Sequence, residues 1–454
     1  MEAARSSSPV KPPDTLPRAL RLPDLITIVA GMMIGSGIFI VPAQVAAGVQ
    51  APLLIILVWV FGGLLTFFGA VSLSELGAAF PHAGGMYVYL REAYGPLIGF
   101  LFGWALFLIV DSGTIATLSV AFSSKYLPYF VKLSPWGTKA AAVLMIVCLT
   151  AVNTIGVRWG AGLQNILTVI KVGAIVAVCG IVFIFAKGTT ANFVSPAPTS
   201  FSWDFLGKFG IALVAVLWAY KGWESSTFSA GELQKPERNL PLGIFIGTGV
   251  VILLYIATNL AYLYAFPSGT IAKSSRIAAD AMNLAIGPVG ASIIAFIILF
   301  SIMGSANGHL LTGPRVYFAL AKDGLFFKKI SAVHPRFLTP YVSTIALGIW
   351  SALLSLTGTF EQLATFAVFG MYIFMGLTCG AVIILRKKRP DLPRPYKTWG
   401  YPLTPVFFIL SALFITINTL IRQFKYSFAG LLIIALGVPA YLYWRRKKIK
   451  DNGK

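Results

Sequence analysis

Apolar runs of membrane length recur along nearly the whole chain, and they restrict what it can fold into more than any motif does. A helix needs about 20 mostly apolar residues to cross a bilayer. Such runs fall at about 24–48, 52–79, 96–130, 136–156, 160–186, 204–232, 240–266, 288–320, 340–357, 361–386, 402–421 and 427–444. The expected fold is an all-α polytopic membrane protein of twelve transmembrane helices, covering residues 23–445 between tails at 1–22 and 446–454. Only 11% of residues are charged and 57% are apolar, whereas soluble domains run at about 25% charged and roughly 45–50% apolar. That balance excludes a secreted disulfide scaffold, a large extramembrane enzyme domain and, despite the net charge of +21, a nucleic-acid module.

Residues 1–22 are polar, basic and rich in proline, with no apolar core before the first span, which reads as a disordered tail rather than a signal peptide. Cys148, Cys179 and Cys379 all lie within apolar runs, where cysteine acts as a small hydrophobe, so no structural disulfide is expected. With the N-terminus placed in the cytoplasm, the inside segments hold 24 of the 36 Lys and Arg residues and the outside segments hold 9. The positive-inside rule then puts both termini in the cytoplasm of a plasma (inner) membrane, with anionic lipid as a partner of the basic ends.

Two of the runs are interrupted in their middle. Gly35, Ser36 and Gly37 break the first, and Lys221, Gly222 and Glu224 break the sixth. Glycine weakens a helix and frees backbone polar groups, and such groups are tolerated at membrane depth where they line a cavity. Close packing of glycines is the plainer reading of one break. Paired breaks five spans apart instead match an inverted repeat of five plus five helices, about 24–186 and 204–386. Free N–H groups near Gly35 to Ile38 would open at a positive half-helix end suited to a carboxylate, and carbonyls at the second break would suit an ammonium group. A molecule with both groups on one carbon, an α-amino acid, fits between them.

The runs GMMIGSGIF and WAYKGWESS, the latter leading into GELQKPERNLP, together with FPHAGGMYVYLREAYGP after the second span, carry a family resemblance. The chain resembles the amino acid, polyamine and organocation transporters, most closely the L-type amino acid transporters and bacterial serine/threonine exchangers. The resemblance implies a leucine-transporter-like fold with helices 1 and 6 broken, and a substrate carboxylate held by backbone from Ile34 through Gly35, Ser36 and Gly37 to Ile38. It implies an amino group held at Trp218, Ala219, Tyr220 and Gly222, with the Trp218 ring as a gate. The implied function is sodium-independent exchange of small or medium neutral amino acids, with proton symport or carriage of acidic or cationic amino acids as alternatives. A membrane-embedded enzyme would need clustered His, Asp or Ser, and no such cluster is visible. No cofactor and no metal are expected. The family's partner-linking cysteine has no counterpart between Lys125 and Lys139, so no disulfide-linked subunit is expected.

Lys171, flanked by apolar residues in the fifth span, is costly at membrane depth unless it faces the bundle interior; the alternative is snorkelling to the interface near Arg158. In the resembled family a lysine in this helix replaces a sodium ion and ties helix 5 to helix 1. Lys221 and Glu224 are close enough to pair if the chain between them is helical, which leaves a neutral pocket; an unpaired Lys221 would instead favour acidic substrates. Asp111 is either satisfied by its serine and threonine neighbours or a proton or substrate site. Glu75 and Arg315 read as gate or packing pairs, and His82, His309 and His334 lack metal-ligand spacing and receive no role.

Overall fold

The computed structural model describes residues 18–194 and 202–452. Of the expected disordered tail at 1–22, residues 1–17 lie outside the described residues, as do 453 and 454 of the other tail. The described chain is a helical bundle in which 11 helices are long and apolar enough to cross a membrane. The segment expected at 340–357 forms a shorter apolar helix of 17 residues, Tyr341–Thr357.

Helix α1 (Leu22–Met33) ends three residues before α2 (Gly37–Val49), and α3 (Pro52–Ala79) follows. The short α4 (Met86–Tyr94) precedes a long span that runs as α5 (Pro96–Ala105), a wide turn at Leu106–Val110, and α6 (Asp111–Ala121). Then come α7 (Pro135–Ile155), α8 (Val157–Phe185), α9 (Trp203–Ala219) and, after a second interruption, a 3-10 helix at Trp223–Glu232. Helices α10 (Pro236–Ala265), α11 (Ser268–Lys273), α12 (Ile277–Thr312) and α13 (Pro314–Lys322) lead to α14 (Tyr341–Thr357). The chain closes with α15 (Phe360–Lys388), α16 (Leu403–Arg422) and α17 (Phe424–Asn452). Proline opens six of these helices at the first turn, where its missing N–H costs nothing, as at Pro52, Pro96, Pro135 and Pro236.

Burial separates a protein-lined interior from a lipid-facing rim. In the Leu22–Val49 span 89% of the most apolar window is buried by protein, against 28% in Pro135–Ile155 and in Phe424–Lys450. Leu410, Leu413, Ile417 and Ile421 of α16 stand exposed on its outer face, which suits a helix whose solvent there is hydrocarbon. The first span is thus the centre of the molecule, packed against α8, α10 and α12.

Candidate functional site

Helix α1 cannot satisfy its own last carbonyls, because the backbone turns away at Ile34, where φ is −77° and ψ is 86°. Side chains from three other helices supply the missing donors. Lys171 of α8 donates from Nζ to Gly31 O at 2.6 Å and Ile34 O at 2.7 Å, and to Ser301 O at 3.0 Å. Ser305 of α12 donates to Met32 O at 2.7 Å, Tyr255 of α10 donates to Met33 O at 2.8 Å, and Ser301 of α12 adds a second bond to Ile34 O at 3.2 Å. The cation sits where the negative end of the α1 dipole favours one. Lys171 is 1% exposed, so it is bound in the interior and does not snorkel toward the interface.

Past the break, the first N–H groups of α2 have no helical acceptor, and they begin at Gly37. Close approach explains the glycine: a Cβ there would lie 2.5 Å from the Ala219 Cα at the end of α9. The two interruptions therefore meet backbone against backbone. Gly222 repeats the demand from the other side, since its φ is +125° and a Cβ would lie 2.8 Å from the Met32 carbonyl carbon. In the second interruption Tyr220 N still bonds Val216 O and Lys221 N bonds Trp218 O, while Ala219 O accepts from Tyr255 Oη at 3.2 Å. Tyr255 thus bonds both interruptions at once.

Between them lies a small cavity. Gly35, Ser36, Gly37, Trp218 and Lys221 line it, together with Met32 and Met33. The opposite wall is Thr114 and Leu118 of α6 with Ser305 and His309 of α12. Ile34, Ile38, Ala219, Tyr220 and Gly222, expected at the site, stand behind this wall: Ile34 through its bonded carbonyl, Ala219 against Gly37, Tyr220 through a hydroxyl bond to Trp59 O at 3.3 Å, and Gly222 through its N–H to Glu224 Oε2 at 2.9 Å. Ile38 is fully buried in the core.

Lys221 Nζ lies 3.6 Å from Glu224 Oε1, both side chains being almost wholly buried. That is an ion pair without a hydrogen bond, and the Ser36 hydroxyl on the same cavity has no partner either. Asp111 is not satisfied by its serine and threonine neighbours: Thr114 Oγ1 donates to Val110 O instead, and Asp111 Oδ1 lies 2.6 Å from His309 Nδ1. His309, given no role from sequence, is therefore a cavity residue. Its partner lies 198 positions away, and no spacing rule reaches that far.

Glu75 and Arg315 each pair elsewhere rather than with one another. Arg315 makes a two-pronged contact with Glu232, Nε to Oε1 at 2.6 Å and Nη2 to Oε2 at 3.1 Å, both side chains buried. Glu75 accepts from Arg386 at 2.8 and 2.6 Å and from Thr398 N at 2.7 Å. Arg91 and Tyr87 both bond Asp323. Beside Arg315, the segment before α1 pairs with the segment after the 3-10 helix, Leu20 N to Glu232 O at 2.9 Å and Gln234 N to Leu20 O at 2.9 Å. These contacts tie together the segments around Arg91, Arg315 and Arg386. A second space, lined by Gln44, Gly48, Ile211, Val368 and Gln423, shares Trp218 with the cavity. Trp218 lines both spaces. Among the described residues there is no His, Cys, Asp and Glu grouping fit for a metal.

Comparison with known proteins agrees with this architecture. A family model described as amino acid permease matches residues 20–438. The chain is 32% identical over 429 residues to the serine/threonine exchanger SteT of Bacillus subtilis (strain 168), covering 93% of this chain and 96% of that protein. It is 32% identical over 449 residues to the human b(0,+)-type amino acid transporter 1, covering 95% and 90%. With the human large neutral amino acids transporter small subunit 2 it shares 31% over 436 residues, covering 92% and 79%.

Proposed function

The chain belongs to the amino acid permease family, and from that premise we propose that it carries out sodium-independent exchange of small or medium neutral amino acids across the cell membrane, with both termini cytoplasmic. The observation that carries the reading is the cavity between two facing backbone interruptions. On its α2 side it meets N–H groups at a positive helix end, which favour a carboxylate; on its α9 side it meets carbonyls at a negative end, which favour an ammonium. Both charges of a zwitterion are thereby accepted without any side-chain counter-ion. The Lys221–Glu224 pair adds no net charge, which favours neutral substrates over acidic or basic ones.

Further support comes from relatives that are exchangers and transporters of amino acids by name. Lys171 occupies the hinge with a fixed ammonium bonded to three carbonyls, which leaves no call for a metal cation at that position. In this reading the Gly35–Gly37 backbone and the carbonyls near Trp218 hold the substrate, Trp218 shields it from the second space, and residues 24–186 and 204–386 are the two inverted repeats, followed by two further helices. The chain then acts as a carrier with no enzymatic step, no cofactor and no disulfide-linked subunit. The test is counterflow: purified protein in liposomes preloaded with unlabelled amino acids should take up labelled serine, alanine or leucine in either sodium or potassium buffer. Uptake that needs no internal amino acid but follows a proton gradient would favour symport, and absence of uptake for every amino acid would overturn the assignment.

A further inference from the structure

Resting on the reading of the chain as an amino acid carrier, we infer that a second site, built on Arg276, holds the carboxylate of an arriving amino acid at the outer mouth of the route to the cavity. Helix α2 ends at Val49, at the far end of the first span from Leu22, and that end is the outer one in the proposed orientation. A basin there is floored by α2 around Gln44 and walled by Lys125, Ser275 and Arg276. Gln44 also lines the second space, and Trp218 lines both that space and the cavity. Basin, second space and cavity are therefore in series, each sharing a side chain with the next.

The charge of this basin runs against its side of the membrane. Cations are biased toward the cytoplasmic face, and the outside segments hold only 9 of the 36 Lys and Arg residues. Two of those nine nonetheless meet here, and no Asp or Glu among the described residues lines the basin. Arg276 is half-buried and is held at both ends. Its backbone N–H donates to Ser274 Oγ at 3.1 Å, and that hydroxyl donates in turn to Asp280 Oδ2. Its guanidinium carbon lies 5.0 Å from the centre of the Tyr129 ring, and cation–π attraction keeps the group there.

Asp280, the carboxylate nearest in sequence, is thus engaged by Ser274, and the guanidinium has no hydrogen-bond or ion-pair partner among the described residues. Five N–H donors in a planar fork stand unused. Such a fork matches a carboxylate, which takes two of the bonds side by side. Lys125 adds a second positive charge to the same wall. The Gln44 amide, on the edge shared with the second space, can turn its oxygen to the ammonium of the same molecule. An amino acid with a cationic side chain meets two like charges here, so the basin also biases entry against it.

The test measures exchange of labelled alanine by the full chain in right-side-out and inside-out membrane vesicles, which present the two mouths separately. Arg276→Gln should raise KM about fivefold at low ionic strength on the face that carries Arg276, and leave it within about twofold on the other. Arg276→Glu should raise it further, and Arg276→Lys, which keeps the charge and loses the fork, should recover part of the loss. Added salt should raise the KM of the unaltered protein on that face and leave that of Arg276→Gln nearly flat, because screening acts on the charge. A residue that only shaped the loop would not change this slope. Replacing chloride with acetate at constant ionic strength should raise the KM of the unaltered protein on that face, a measurement that needs no variant. Equal KM changes on both faces, an unchanged salt slope in Arg276→Gln, or the same KM in chloride and acetate would each overturn the inference. Absence of exchange by the unaltered protein in both kinds of vesicle would instead overturn the transport assignment.

Discussion

Replacing Lys171 with methionine tests the hinge of the first span with little change in side-chain volume. The substitution removes the donor to Gly31 O and one of two donors to Ile34 O, since Ser301 Oγ stays at 3.2 Å from the latter. One buried carbonyl is then wholly orphaned, at about 2 kcal/mol, which corresponds to roughly a thirtyfold fall in the population of the correctly bent hinge. Losing a cation at the helix end adds up to about 2 kcal/mol more. Against this, the fold no longer has to bury an ammonium, a relief that is often as large as the lost pairing. The expected outcome is therefore a split: exchange in proteoliposomes falls at least about thirtyfold while the melting temperature in detergent moves little. Exchange by Lys171→Met at close to the unaltered rate would refute the role of the ammonium in holding α1. A severalfold rise of unaltered uptake on changing potassium for sodium would refute its role as the resident cation.

Other substitutions address the remaining contacts. Gly222→Ala should abolish exchange, because the residue combines φ of +125° with a Cβ position 2.8 Å from the Met32 carbonyl carbon; measurable exchange would refute the tight apposition of the two interruptions. Arg315→Ala leaves Glu232 buried without its partner, a loss of about 3–5 kcal/mol. A cysteine introduced as Ser36→Cys should then react faster with a reagent applied from the Arg-rich side, and an unchanged rate would exclude this pair as a closure. Lys221→Met should raise the substrate KM more than Lys221→Met combined with Glu224→Gln, because the amide oxygen still accepts from Gly222 N and no lone buried charge remains; additive effects would show that the pair does not couple.

The spans were legible because hydrocarbon imposes its length on them: 96–130 was expected and Pro96–Tyr129 is found, 204–232 was expected and Trp203–Glu232 is found. The interruptions at Gly37 and Gly222 were legible because only glycine tolerates the backbone approach each makes. Partners were not legible. Glu75 and Arg315 read as gate or packing pairs, but Arg315's partner Glu232 lies 83 positions earlier in a run that reads as a loop, and Glu75 finds Arg386 over 311 positions. Tyr255, Ser301 and Ser305 were missed altogether as caps of α1, since a tyrosine or serine in an apolar helix carries no mark of which carbonyl it faces. His309 was passed over because its significance lies in Asp111, and pairing across 198 positions is a property of packing.

The short ribbon between Leu20 and the Glu232–Gln234 backbone has a kinetic consequence. It stitches the start of α1 to the end of the 3-10 helix, so the two inner half-spans are one lever rather than two. If that lever swings outward on opening, the carbonyl end of the first span and the segment past Gly222 leave the cavity in the same stroke. A bound zwitterion, its carboxylate on the α2 N–H groups and its ammonium on the α9 carbonyls, is then uncovered in one step, with no half-open state in which one inner half-span has withdrawn while the other still covers it. Such a state is where a carrier would idle and let solutes slip past, so the stitch trades independent motion of the two spans for a tight ratio of molecules in to molecules out.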